Sequence, residues 1–255
     1  MSIVSAIDVG IVKMTAAHVD IDTGKVADRR VLDTRPSRGG EVLLGDVAGL
    51  ARGLGRSVMA VGIALPEAVD GTGRITGAER FDWRNLDLVE PFEALPAVRL
   101  VSRGPAGALA EARFGAGTDH PSLLYVDVDQ AVDAAATAAG RLLDPADDPT
   151  RALADPALAE RAAGPAIAAS AGTQTARQAL AGEHAETAAA AAAAALAEAL
   201  AGPLAATGAT LVVLGGAVGL DERYRAALAG HLAVPVAAAG LGLDAPLVGC
   251  ALNAV

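Results

Sequence analysis

Residues 126–134 read VDVDQAVDA and place Asp127, Asp129 and Asp133 at i, i+2 and i+6. If the chain stays extended, alternation puts all three carboxylates on one face. Like charges a few ångströms apart repel by about 1 kcal/mol per pair in water-like screening and by about 4 at an intermediate dielectric. Coupled carboxylates titrate apart, so one can serve as general acid and another as base. Asp127 and Asp129 are the candidates for that pair, and a solvated edge-strand face is the plain alternative. A second set lies in residues 61–82, VGIALPEAVDGTGRITGAERFD, which carry Glu79, Arg80 and Asp82 and are followed by Trp83. These side chains and Arg103 suit a polar small molecule, with Trp83 as a stacking face, although a lone tryptophan is more often a core plug. Near the start, Asp8 and Lys13 flank a turn at Gly10, where they either meet a ligand or cap a hairpin.

Several chemistries are excluded by residue type. Cys250 is the only cysteine, so neither an internal disulfide nor a thiolate zinc site is available. His18, His120, His184 and His231 lack ligand spacing, and no glycine-rich dinucleotide fingerprint or serine elbow occurs. The residues therefore point to no metal and no cofactor. A net charge of −10 argues against nucleic acid as a partner. The N-terminus MSIVSAIDVG has no basic segment and does not read as a signal peptide. The alanine run at 188–195 is bounded by Glu186 and Glu198 and reads as a helix too interrupted to span a bilayer. A cytoplasmic protein without a membrane partner is expected.

The elements that must position these residues follow from apolar spacing. Runs at 3–8, 14–19 and 26–32 form a three-strand meander. A helix over 41–54, strands over 58–65 and 96–101, and a helix over 106–114 follow. Gly, Thr, Asp and Pro crowd 115–121, after which the pattern restarts with strands at 122–128 and 132–138. Helices over 156–170 and 183–206, a strand over 210–214 ending in Gly215-Gly216, and a helix–strand–helix tail complete the chain. Two halves that each open with a meander predict a duplicated α/β fold. Small aliphatic residues must build the core, since hydrophobic residues make up 53% and aromatic ones only 2%.

The order of four segments resembles the ROK family of repressors and sugar kinases, within the actin-like ATPase superfamily. Ala6-Ile7-Asp8-Val9-Gly10 with Lys13 resembles its first phosphate loop. Residues 61–82 resemble the strand and sugar-facing loop that follow. Residues 109–117, ending Phe-Gly-Ala-Gly, resemble the close of the first domain, and residues 211–218, LVVLGGAV, resemble the strand and glycine pair beside adenine. The resemblance implies an actin-like, ribonuclease H-like duplicated fold with a central cleft. Its lobes would be residues 1–117 and 118–255, the last helix folding back on the first lobe, and the protein would be a homodimer.

The departures bear on activity. Ile11 and Val12 stand where the family has glycine and threonine, and two β-branched side chains provide no phosphate cradle. The family's second glycine-rich turn is replaced by the aspartates of residues 126–134. Arg103 and Gly104 fall where the family has an Asn-Asp pair, and neither can act as a base at neutral pH. The family's His/Cys zinc motif is absent between Gly140 and Gly182, and no DNA-binding arm precedes the first strand. The expectation is a pseudokinase that holds a sugar-like molecule, with Gly10, Gly215 and Gly216 as vestiges of a nucleotide site. One alternative is a repurposed enzyme of a biosynthetic pathway using Asp127 and Asp129, with Arg103 set against Glu79, Asp82, Asp127 and Asp129. The other is a live sugar or cyclitol kinase with a metal on Asp127 and Asp129.

Overall fold

The computed structural model describes residues 2–55, 58–77, 80, 81, 83, 86, 90–92, 95 and 97–255. The chain divides into two compact units, Met1–Ala110 with Pro246–Val255, and Glu111–Ala245.

In the first unit β1 (Ile3–Val9), β2 (Lys13–Asp20) and β3 (Lys25–Asp33) form an antiparallel meander. Helix α1 (Gly40–Gly53), strand β4 (Val61–Leu65), strand β5 (Val98–Ser102) and helix α2 (Arg103–Phe114) follow. The sheet order is β3-β2-β1-β4-β5, with β1, β4 and β5 mutually parallel. Central strands β1 and β4 are buried almost throughout, as their near-continuous apolar sequences require. Edge strand β3 is largely exposed and carries charged residues and a bulge opposite Ala16 and His18, both of which blunt an edge. Helix α2 begins at Arg103, three residues before the apolar spacing suggested. Pro105 obscured that start, although a first helical turn tolerates proline because its N–H groups have no intrahelical partner.

The second unit repeats the plan. β6 (Ser122–Val128), β7 (Val132–Ala138) and the short β8 (Arg141–Leu142) form the meander. Helices α3 (Pro156–Ala162), α4 (Gly164–Ser170), α5 (Ala176–Ala181) and α6 (Ala185–Thr207) lead to β9 (Val212–Gly215). The four-residue α7 (Gly216–Gly219), α8 (Glu222–Ala229) and β10 (Val236–Ala238) complete it. The sheet order β10-β9-β6-β7-β8, read from β8, matches the first sheet strand for strand in pairing and direction. The fold is α/β, with two mixed five-stranded sheets.

The helix expected over 156–170 is two helices. Ala163 is extended (φ −117°, ψ −165°), and Pro165 has no N–H to continue the hydrogen-bond ladder of α3, so α4 starts afresh with proline in its first turn. Helix α6 forms because alanine has the highest helix propensity, and it ends on left-handed Gly208. Its buried stripe, Ala188, Ala189, Ala192, Ala193, Leu196 and Leu200, packs into the second unit's core with Leu124, Ile167 and Tyr224. By length and composition alone α6 is apolar enough to cross a membrane, so its two glutamates do not exclude that as the sequence suggested. Its packed stripe accounts for the apolar composition instead.

Helix α9 (Ala245–Asn253) ends the chain, and from Pro246 onward it belongs to the first unit. Its main chain lies directly against neighbours. A methyl on Gly249 would collide with the Ala106 carbonyl of α2, and one on Gly62 of β4 would collide with the Cys250 carbonyl.

Candidate functional site

In open α/β sheets, ligands gather outside the carboxyl ends of parallel strands. In the first unit those ends belong to β1, β4 and β5, and they bring together Asp8, Glu67, Ser102 and Arg103. Asp8 sits one residue from the end of β1, opposite Ala64 of β4, and Ser102 ends β5 opposite Leu65. Arg103 Nε lies 3.1 Å from Asp8 Oδ1, with the two side chains only 12% and 13% exposed. As the first residue of α2, Arg103 brings positive charge to the positive end of a helix, which is unfavourable by itself. Asp8 offsets that cost. The arginine thus has Asp8 as a partner, a carboxylate not among those set against it in the sequence. The hairpin turn itself is closed by main chain and one hydroxyl. Gly10 N–H donates to the Lys13 carbonyl (2.9 Å), the Thr34 hydroxyl donates to the Gly10 carbonyl (2.7 Å), and Thr34 N–H donates to Val12 (2.9 Å). Val12 at the tip is 58% exposed, and Lys13 is exposed beside it.

The loop after β4 is tied down from beneath. Glu67, only 2% exposed, accepts from Arg80 N–H (2.7 Å) and Phe81 N–H (2.5 Å) through Oε1. The Ser102 hydroxyl accepts from Val69 N–H at 2.9 Å. Farther out, Asp70 accepts from the Thr72 hydroxyl and from the Thr72 and Arg74 amides. The Thr72 hydroxyl is the foremost cause of a carboxyl held below its usual range. Arg80 is half-buried on this loop, whereas Glu79 and Asp82 lie outside the described residues. Trp83 is not a stacking face. It is buried in the first unit's core with its ring beside Phe81, and its indole N–H donates to the Gly40 carbonyl at 2.7 Å. With Leu44, Ile63 and Phe92 it lines a small apolar cavity.

The second unit holds Asp127 one residue from the end of β6, opposite Gly215 of β9. The expected single face of three aspartates does not form, because the strand stops at Val128. Asp127 faces Asp133 across the β6–β7 ladder, while Asp129 lies in the connection between them. There its N–H donates to Ala131 (3.0 Å) and its carbonyl accepts from Gly164 N–H (2.7 Å). Asp133 accepts from Ala134 N–H at 2.9 Å. The edge-strand reading also falls, since β6 is the middle strand and Asp127 is 4% exposed. Among the described residues no group of three or more His, Cys, Asp or Glu could hold a metal ion.

Gly215 and Gly216 have local reasons to be glycine. Gly216 has φ +76°, and a methyl there would collide with the Asp127 carboxylate and the Val128 carbonyl. One on Gly215 would strike the Tyr125 hydroxyl.

Besides Glu67, a second polar residue of consequence escaped the sequence reading. Glu111 is fully buried and accepts from Ala116 (2.8 Å), Gly240 (2.8 Å) and Leu241 (2.9 Å). These charge-assisted bonds fasten the Gly-Ala-Gly turn after α2 to the segment after β10. The only signal was a glutamate within four residues of that turn. Two further groups are perturbed. Burial raises the Cys250 thiol, with a smaller push from the nearby Asp8 charge, and burial raises the Tyr224 phenol. The Tyr224 hydroxyl donates to the Ala162 carbonyl at 2.6 Å.

A model of the ROK family matches residues 4–144. Among solved structures, a ROK hexokinase from Thermus thermophilus is 26% identical, covers 99% of this chain and 97% of its own, and superposes with a TM-score of 0.69. A ROK family glucokinase from Streptomyces griseus, in complex with glucose and AMPPNP, is 20% identical over 99% of both chains with a TM-score of 0.77. A ROK family protein from Streptococcus pneumoniae in complex with sucrose is 18% identical, covering 98% of this chain and 97% of its own with a TM-score of 0.72. A search of curated proteins found no match.

Proposed function

The chain belongs to the ROK family, with its actin-like ATPase fold, and from that premise we propose that it is a non-phosphorylating homologue of the family's sugar kinases that binds a sugar-like polar small molecule. The observation that carries this reading is the Asp8–Arg103 ion pair. In a kinase of this family, Asp8 would stand near a magnesium and a carboxylate at the start of α2 would take the sugar proton. In this chain Arg103 and Gly104 stand where the family has Asn and Asp, so the second position carries no carboxylate, and Asp8 is already paired with the neighbouring guanidinium. A hydrated magnesium with its triphosphate fits these residues poorly. The first hairpin tip presents Ile11 and Val12, the second presents aspartates instead of glycines, and the Asp127 carboxylate lies against Gly216.

The ligand residues in this reading are Asp8, Lys13, Arg80 and Arg103, together with Glu79 and Asp82. That two structural neighbours were crystallised with glucose and sucrose supports a sugar-like ligand. Calorimetric titration tests it. A sugar or cyclitol should bind without nucleotide, and Mg-ATP should give no heat. Micromolar Mg-ATP binding would overturn the reading.

A second reading draws on the pairing of buried Asp127 with Asp133 across β6 and β7. Facing carboxylates are suited to acid–base work, with Asp129 on the adjoining turn. If turnover of a candidate substrate is found, Asp127→Asn or Asp129→Asn should slow it by about 10²–10⁴. The proposal extends to a cytoplasmic homodimer, which light scattering checks.

A further inference from the structure

We propose that Ser5, His18 and Asp28 build an internal polar site in the first unit, which holds a single water between the Ser5 hydroxyl and the His18 ring. The inference stands apart from the sugar reading. The three residues lie on neighbouring strands, and Ser5 faces His18 directly across the β1–β2 ladder. By alternation Ser5 shares the face of Ile7 and Val9, and His18 that of Met14 and Ala16, which pack with α1 in the first unit's core. Ser5 is fully buried. Among the described residues neither its hydroxyl nor the buried His18 Nε2 has a hydrogen-bond partner. Buried polar atoms are costly to leave unbonded, and an internal water commonly serves two or more of them at once.

The other ring nitrogen is held by a device in the backbone. His18 Nδ1 lies 2.9 Å from Asp28 Oδ2. His18 pairs with Ala27, so simple alternation would send the Asp28 side chain to the opposite face. Between the pairs Ala16–Arg30 and His18–Ala27, however, β3 has two residues where β2 has one, and Asp28 takes a left-handed φ of +53°. This bulge re-aims Asp28 towards the ring, and aspartate tolerates that conformation better than most side chains. An ionised carboxylate only accepts, so Nδ1 carries the proton and Nε2 of the neutral ring is left as an acceptor. Reach then decides what donates to it. The facing β-carbons stand about 4.5–5.5 Å apart, but an imidazole carries Nε2 much farther from the sheet than a serine carries its oxygen. A water between them accepts from Ser5 and donates to Nε2. The resulting chain runs from exposed Asp28 on β3 to covered Ser5 on β1.

The test uses the wild-type protein with no added ligand. A crystal structure should show an ordered water within about 2.7–3.2 Å of both Ser5 Oγ and His18 Nε2. A direct bond between those two atoms, or no density between them, would overturn the proposal. In solution, nitrogen-15 spectra in mildly alkaline buffer should place the ring proton of His18 on Nδ1, and a proton on Nε2 instead also overturns it. Ser5→Val removes the donor and fills its space, so oxygen-17 relaxation should count one long-lived water fewer than in the wild type. An unchanged count in a folded Ser5→Val, verified by circular dichroism, sinks the site as well. Should Ser5→Val not fold, Ser5→Ala takes its place with the same loss expected, and the wild-type crystal remains decisive.

Discussion

Asp8 and Asp127 occupy the same place in two sheets of the same topology, one residue from the end of the leading strand, with a parallel strand on one side and an antiparallel one on the other. Their surroundings differ in kind. Asp8 faces an arginine from the start of α2, and charge fixes it. Asp127 lies against Gly216, whose missing side chain and positive φ give the carboxylate its room. The hairpin tips beside them are both anchored through a carbonyl, by the Thr34 hydroxyl at Gly10 and by the Gly164 amide at Asp129. Duplication thus preserves the frame while the chemistry at equivalent points diverges, and strand order alone does not reveal what each end binds.

The sharpest way to break this comparison is to remove the charge. Arg103→Ala or Asp8→Asn removes one side of a mostly buried ion pair and should destabilise the protein by about 3–5 kcal/mol in urea unfolding. The double replacement Asp8→Leu/Arg103→Met should recover much of that, because no buried charge is then left over. The shape-based end should respond to a methyl group. Gly216→Ala forces a left-handed alanine into the Asp127 carboxylate and should cost about 3 kcal/mol, the upper range for such strain. Equal losses from Gly216→Ala and Gly219→Ala would argue against this account, because Gly219 lacks the positive φ.

Alkaline titration tests each unit through one buried group. Cys250 in the first and Tyr224 in the second are both raised by burial. On unfolding they return to about 8.5 and about 10, so above those values the unfolded chain carries fewer protons than the folded one. Stability should therefore fall as pH rises, by about 1.4 kcal/mol per pH unit for each group. Cys250→Ala should remove the part that begins near pH 8.5, and Tyr224→Phe the part that begins near 10. The smallest effect belongs to the first hairpin tip. Thr34→Val loses one buried hydroxyl bond and should cost about 1 kcal/mol.

Much of the frame was legible in the sequence because β1, β4 and β6 read as short, mainly apolar runs and because Gly10 and the Gly, Thr, Asp and Pro of 115–121 punctuate the elements. The break at Ala163 was hidden by alanines on either side, which favour helix regardless of context, although Pro165 carried the local signal. The site was legible as a set of residues but not as a set of partners. Asp8 and Arg103 were both singled out, yet nothing in one dimension joins residues on different strands. Three aspartates were assigned to one face because the strand was taken to continue beyond Val128. Glu67 and Glu111 were missed for a common reason: each serves main-chain amides, and those leave no mark in side-chain identity. Trp83, attractive as a lone aromatic beside charged residues, is an anchor for the loop through Gly40.

The seating of α9 has a consequence for how the protein is made. Its residues from Pro246 onward complete the unit formed by Met1–Ala110, pressed against Ala106 and Gly62 through glycine. A nascent chain therefore emits nearly the whole first unit and must wait through the entire second before the missing piece leaves the ribosome. Domains usually fold as they emerge, and closing so long a loop is slow. The half synthesised earliest thus waits for its covering helix, and a chain cut before Pro246 would leave β4 and α2 without the helix that packs against them.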